Sequence, residues 1–144
     1  MFLGEYQHTL DAKGRVSLPS KFRYSTGGHI VVSKGLEECL YVYPAAGYQA
    51  LLDKLMAGGD FDRNIRALRR FFIAGASETD VDSAGRIAIT PALRAHAGLT
   101  KDVVVAGVGD HIELWDAAAW AKYENDQAST IEDAAEELVR QGIL

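Results

Sequence analysis

Asp11-Ala12-Lys13-Gly14-Arg15-Val16-Ser17-Leu18-Pro19-Ser20-Lys21-Phe22-Arg23 is written a second time, 71 residues on and without a gap, as Asp82-Ser83-Ala84-Gly85-Arg86-Ile87-Ala88-Ile89-Thr90-Pro91-Ala92-Leu93-Arg94. The Asp, the Gly, the Arg and the closing Arg are identical, and Val16/Ile87, Leu18/Ile89 and Phe22/Leu93 keep an apolar residue in place. Turn chemistry and core chemistry are therefore repeated together. The likeness extends outward: Gly4 matches Gly75 at the same offset. At an offset of 72, Val31-Val32 match Val103-Val104, Gly35 matches Gly107, Leu40-Tyr41-Val42-Tyr43 match Ile112-Glu113-Leu114-Trp115, and Tyr48 matches Trp120. Each copy spans about 45 residues, too few for a comfortable core, so the two are expected to complete one shared core.

Each copy reads as a hairpin. In the first, Gly4 to Leu10 suits a strand, Asp11 to Gly14 supplies the turn, and alternation resumes at Arg15. An Asp side chain can bond backbone amides two residues on, and a Gly takes up the positive φ that closes such a turn. Pro19 ends the strand, Ser20 is positioned to cap a short helix, and strands follow at Ile30 to Val32 and up to Tyr43. The second copy repeats the plan, with Asp116 capping a helix that carries Trp120. Between the copies, Pro44 opens a helix with Tyr48, Leu51, Leu52, Leu55 and Met56 at helical spacing. Asp60 is expected to cap another, with an apolar stripe of Phe61, Ile65, Leu68 and Phe72, and Arg63, Arg66 and Arg70 on a solvated face. A last helix starts at Thr130 and stops at Gly142, and its stripe of Ile131, Ala134, Ala135, Leu138 and Val139 needs a cover. The expected units are 5–47 and 76–119, with a helical connector at 48–75 and C-terminal helices at 120–144.

The chain is 48% hydrophobic and 24% charged, an ordinary globular composition. It has no basic and apolar leader at its start and no apolar run of roughly 20 residues, so the expected compartment is cytoplasmic, without a membrane partner. Cys39 is alone, which excludes an internal disulfide or thiolate cluster and points to a buried thiol. The net charge of -5 is unevenly spread: residues 1–75 carry +3 and residues 76–144 carry -8. A basic surface can coexist with an acidic chain.

The opening Met1-Phe2-Leu3-Gly4-Glu5-Tyr6, the paired Asp-x-x-Gly-Arg elements and the closing Glu113-Leu114-Trp115-Asp116 resemble the MraZ family of bacterial transcriptional regulators, over residues 1 to about 123. The resemblance implies a mainly β fold with added helices (α+β), in which two SpoVT/AbrB-like units form a pseudo-two-fold swapped-hairpin β-barrel. It also implies a homo-oligomeric ring that binds double-stranded DNA at direct repeats upstream of the division and cell-wall gene cluster, its own promoter included. Such a protein would be nucleoid-associated.

The residues agree with that implication. An Arg just past a tight turn can lie along the rim of a two-stranded ribbon, where its guanidinium contacts phosphate or reads guanine bidentately. The expected DNA-binding residues are accordingly Lys13, Arg15 and Arg86, with Asp11, Gly14, Asp82 and Gly85 shaping the turns. Lys13 is matched by Ala84, so the first hairpin should bind phosphate more strongly. A competing role for Arg15 and Arg86 is to rivet each hairpin to its Asp. Arg23 and Arg94 lie in the short helices, where an ion pair within the protein explains them as well as a nucleic-acid contact does. His8, His29, His96 and His111 are scattered outside any metal or nucleophile signature, and Gly107-Val108-Gly109 precedes a strand, so no catalytic residue, metal, cofactor or small-molecule substrate is expected. The alternative reading is a ring-forming interaction scaffold that does not bind DNA.

Overall fold

The computed structural model describes all residues, Met1–Leu144. The first copy supplies β1 (Phe2–Thr9), β2 (Arg15–Ser17), α1 (Ser20–Thr26), β3 (His29–Lys34) and β4 (Leu40–Pro44). The second supplies β5 (Ser77–Asp80), β6 (Arg86–Ala88), α4 (Pro91–Ala97), β7 (Asp102–Gly109) and β8 (Ile112–Asp116). Between them lie α2 (Ala45–Met56) and α3 (Arg63–Arg69), and after them α5 (Ala117–Gln127) and α6 (Ile131–Arg140). No helix is long and apolar enough to cross a membrane.

The two copies exchange the strands of their turn hairpins, while β3–β4 and β7–β8 pair within a copy. Six strands form one antiparallel sheet in the order β1-β7-β8-β4-β3-β5, and β2 and β6 form a separate two-stranded ribbon. Thus β1 pairs with β7 of the other copy, β5 with β3 and β2 with β6. A pseudo-two-fold axis is visible in the registers: Val16 sits opposite Ile87, its own repeat-mate, and Tyr41 opposite Glu113, its own repeat-mate. The chain is therefore α+β and built from two swapped hairpins. The sheet is open, with β1 and β5 at its edges, and only the Leu10–Val16 bridge joins it to the ribbon. Closure into a barrel by hydrogen bonds is not reached.

The sheet is covered on both faces, which is why its strands read as apolar runs rather than as strict alternation. On one face, Ile30, Val32, Leu40, Val42, Val103, Val105, Ile112 and Leu114 pack with Val16, Leu18, Ile87 and Ile89 of the ribbon and with Phe22 and Leu93 of the short helices. On the other, α5 covers Val104, Ala106 and Trp115, and α2 covers Val31 and Tyr43. This division corrects the sequence match in one place. Val31 is equivalent to Val104 and Ile30 to Val103, an offset of 73 rather than 72, because Val31 pairs with Tyr43 as Val104 pairs with Trp115. Identical neighbouring valines hid the slip, yet one residue of register sends every side chain to the opposite face.

Other corrections concern helix ends. Ser20 is the first residue of α1, with Pro19 before it and no side-chain cap. Asp62, not Asp60, caps α3, its carboxylate accepting from the N–H groups of Asn64 and Ile65. Asp60 instead pairs with Arg69 at 2.7 Å. Thr130 donates its hydroxyl to the Gln127 carbonyl rather than capping α6, whereas Asp116 caps α5 and Gly142 closes α6 at φ 76° as expected. The stripe on α3 is only partly used: Phe72 is buried while Phe61 is 98% exposed. The helix also runs on as a π turn, Arg70–Ala74, over the positions where the second copy would begin a long edge strand. That is why β5 has four residues and β1 has eight.

Residues 1–58 contain none of β5, β6, β7 or β8, so β1 and β2 would lack every strand they pair with. Expressed alone, this fragment is expected to show no cooperative thermal transition by circular dichroism. A two-state monomeric fragment would overturn the shared core.

Candidate nucleic-acid interface

Each Asp-x-x-Gly-Arg stretch folds around its carboxylate. Asp11 Oδ1 accepts the backbone N–H groups of Lys13 and Arg15, both at 2.9 Å, and Oδ2 accepts Arg15 Nε at 2.8 Å. The Gly14 N–H donates to the Asp11 carbonyl and the Asp11 N–H to the Arg15 carbonyl, with Gly14 at φ 75°. The second turn is a copy: Asp82 Oδ1 holds the N–H groups of Ala84 and Arg86 at 2.9 and 2.8 Å, Oδ2 holds Arg86 Nε at 2.9 Å, and Gly85 has φ 78°. Asp11 and Asp82 are held below the usual carboxylate range, foremost by the backbone N–H of Arg15 and Arg86, with burial opposing and the guanidinium adding.

The rivet and the free guanidinium turn out to coexist. Only Nε of Arg15 and Arg86 is engaged, and neither residue's Nη1 or Nη2 has a protein partner. In the ribbon Arg15 faces Ala88, Val16 faces Ile87 and Ser17 faces Arg86. Strand alternation buries Val16 and Ile87 and turns Arg15, Ser17, Arg86 and Ala88 to the opposite side. The two arginines thus lie diagonally on the ribbon's outer face, with Lys13 exposed at the first tip and Ala84 at the second.

Arg23 and Arg94 are in no ion pair. Arg23 Nε donates to the Leu18 carbonyl at 2.8 Å and Arg94 Nη1 to that of Ile89 at 3.0 Å. Each guanidinium lies over the turn of the other copy: a Cβ on Gly85 would overlap Arg23, and one on Gly14 would overlap Arg94. Backbone bonds run the same way, from the Leu18 N–H to the Gly85 carbonyl at 2.9 Å and from the Ile89 N–H to that of Gly14 at 2.8 Å. Each turn that holds an outward Arg is therefore clamped by the opposite repeat. Sequence reasoning missed this role; the repetition of the closing Arg was its one signal.

The remaining reactive side chains stay apart. His29 bonds Asp80 at 2.8 Å, His96 bonds the Gly35 carbonyl at 3.1 Å, and His111 bonds Asp110 at 2.6 Å while stacking on Tyr43. No three His, Cys, Asp or Glu side chains are placed to hold a metal ion. Cys39 is buried, its thiol donating to the Leu36 carbonyl, and burial pushes its pKa far up, so it is not a thiolate.

The family model for MraZ protein, an antitoxin-like family, matches this chain twice, over residues 1–71 and 72–141. Proteins named transcriptional regulator MraZ are similar over nearly the whole length. That of Acetivibrio thermocellus is 46% identical over 143 residues, covering 99% of this chain and 100% of the relative. That of Heliobacterium modesticaldum is 45% identical over 139 residues, 96% and 97% of the two chains, and that of Alkaliphilus oremlandii is 42% identical over 143 residues, 99% and 100%.

Two measurements check the clamp. Gly14→Ala forces a left-handed backbone on Ala and displaces Arg94, so it is expected to cost more than the roughly 1–2 kcal/mol of backbone strain alone. In an Arg94→Ala background the same change should cost less, and thermal denaturation of the four-member cycle reads the coupling. Because Asp11 and Asp82 titrate low when folded, their contribution is present above the ordinary carboxylate pKa and lost as pH falls below about 4. Asp11→Asn/Asp82→Asn should melt earlier at pH 7 and show a flatter pH dependence across that window.

Proposed function

The chain belongs to the MraZ family, and we propose that it is a transcriptional regulator that binds double-stranded DNA sequence-specifically through the outer face of the β2–β6 ribbon. The observation that carries this reading is the pair of half-engaged guanidiniums, each with Nε fixed by an Asp and its fork left open. A two-stranded ribbon fits the major groove, where a bidentate Arg distinguishes guanine by O6 and N7. The Asp removes side-chain freedom beforehand, so little entropy is lost on contact. Arg15 and Arg86 read bases, and Lys13 neutralises phosphate at the first tip only.

One subunit offers three cations, which is few for a specific complex. Direct repeats on the DNA, the protein's own promoter among them, together with several subunits in a homo-oligomeric ring, raise effective concentration and so affinity without new contacts. Of the acids of the second half, Glu124, Asp126, Glu132, Asp133, Glu136 and Glu137 lie on α5 and α6, and Asp82, the one in the turn before β6, is engaged by Arg86 Nε.

The test is a gel shift at fixed salt with a duplex carrying the repeats of the protein's own promoter. Arg15→Ala and Arg86→Ala should each lower affinity by about 1–3 kcal/mol per lost base contact. Lys13→Ala should weaken all duplexes alike and reduce the salt slope by about 1. Melting and sedimentation of the same variants provide the control. If Arg15→Ala loses its fold while its folded fraction binds normally, Arg15 is only a rivet; if the wild type binds no duplex at any salt, the scaffold reading replaces this one.

A further inference from the structure

Within the repeated stretch, two lysines have no match in the second copy: Lys13 is replaced by Ala84 and Lys21 by Ala92. In sequence both belong to the first copy. The exchange of hairpins separates them. Leu18, just past β2, donates its N–H to the Gly85 carbonyl at 2.9 Å, and Arg23, two residues beyond Lys21 on α1, covers Gly85. Helix α1 is thereby seated beside the second tip, away from the turn that precedes it in the chain. By the same exchange the Ile89 N–H bonds the Gly14 carbonyl at 2.8 Å and Arg94 covers Gly14, so α4 and its Ala92 sit beside the first tip. The first tip therefore has Lys13 with Ala92, and the second has Ala84 with Lys21.

No internal partner occupies Lys21. It is exposed and makes neither a hydrogen bond nor an ion pair, while its neighbour Phe22 anchors α1 in the core. Lys21 borders a groove with Tyr6, His8, Leu18 and Arg23, and no carboxylate lines it. His8 is held below its ordinary pKa, by burial first and by Arg23 second, so the groove's charge at pH 7 rests on Arg23 and Lys21. Arg23 is already committed, its Nε to the Leu18 carbonyl at 2.8 Å and its guanidinium to the cover of Gly85. Asp82, the acid of the second turn, is committed to Arg86. Lys21 is thus the free cation beside the second tip, and its flexible four-carbon stem adds reach.

We propose that Lys21 supplies, at the second tip, the phosphate contact that Ala84 cannot make, so that the ribbon is gripped at both ends. This inference rests on the DNA-binding reading above and adds a fourth cation to the three named there. A ribbon in the major groove lies between two phosphate backbones, and its two ends meet different phosphates. With a lysine at one end only, the ribbon would be free to tilt about that end. With one at each, Arg15 and Arg86 are held level against the base edges, since backbone contacts fix register and orientation without reading sequence. Lysine suits this task, being a compact charge on a flexible stem that any phosphate oxygen satisfies. The swap thus shares between the tips a pair of charges written into one repeat.

Gel shifts of the full chain on the promoter duplex across a salt series, with phosphate-ethylation interference on the same duplex, test it. Lys21→Ala should flatten the fall of log affinity with log salt by as much as Lys13→Ala does, and the double variant should lose the sum of the two. Ethylation should cease to interfere at one end of each repeat for Lys21→Ala and at the opposite end for Lys13→Ala. Lys21→Gln, which keeps most of the stem, should behave as Lys21→Ala does, whereas Lys21→Arg should keep the wild-type slope. Adding Ala84→Lys to Lys21→Ala should restore the slope and the interference at the same end, because the charge returns to the same tip. Circular dichroism controls for folding. A folded Lys21→Ala protein with the wild-type slope overturns the proposal, and so does one whose lost interference falls at the Lys13 end. Both results leave the DNA-binding reading to be judged separately by the dependence of the gel shift on Arg15, whereas a wild type that binds no duplex overturns the two together.

Discussion

The strands that flank the two Asp-x-x-Gly-Arg turns, β1, β2, β5 and β6, all take their main-chain partners from the other repeat. The β1–β2 hairpin bonds to β7 and β6, β5 bonds to β3, and the two copies meet across β4 and β8. Backbone polar groups left unpaired in a core are costly, so neither hairpin can be completed until the opposite copy is in place. The ribbon follows from this exchange. Val16 and Ile87 seal one face of the shared core, and that leaves their neighbours in sequence pointing out.

On the function proposed above, the Asp-x-x-Gly-Arg turn serves stability and recognition with the same side chains because arginine has donors to spare. One N–H closes the bond to aspartate while four remain on the fork, whereas a lysine has a single nitrogen for both tasks. The opposite repeat completes the arrangement. Arg23 and Arg94 fill the space where a Cβ would stand on the turn glycines, so Arg15 and Arg86 are each oriented by their own carboxylate while their turns are held by the other copy. A change in either half is felt at both tips.

The departures from symmetry are concentrated where the chain had other work to do. The connector helix continues as a π turn into the space of a strand, shortening β5. Lys13 has no counterpart on the second tip. Positive charge gathers on the connector and negative charge on α6.

How much could be read beforehand divides along physical lines. The repeat, the turns and the arginines at the turns were legible in the residues, because each is written in a local pattern: a glycine where φ must be positive, a carboxylate two and four residues before the amides it binds, alternation where one side is buried. Register was not legible. Val31 and Val104 are equivalent only by their pairing with Tyr43 and Trp115, and adjacent valines carry no mark of the face they occupy. Nor was the clamp of Arg23 on Gly85 and Arg94 on Gly14, since a bond between residues some sixty to eighty positions apart depends on how the copies are exchanged. Asp60 reads as the cap of the connector helix, but Arg69, reaching back from within α3, pairs with it, and Asp62 caps instead. Local chemistry determined the parts and their turns; the swap alone decided which part each of them meets, because only folded proximity brings the two repeats together.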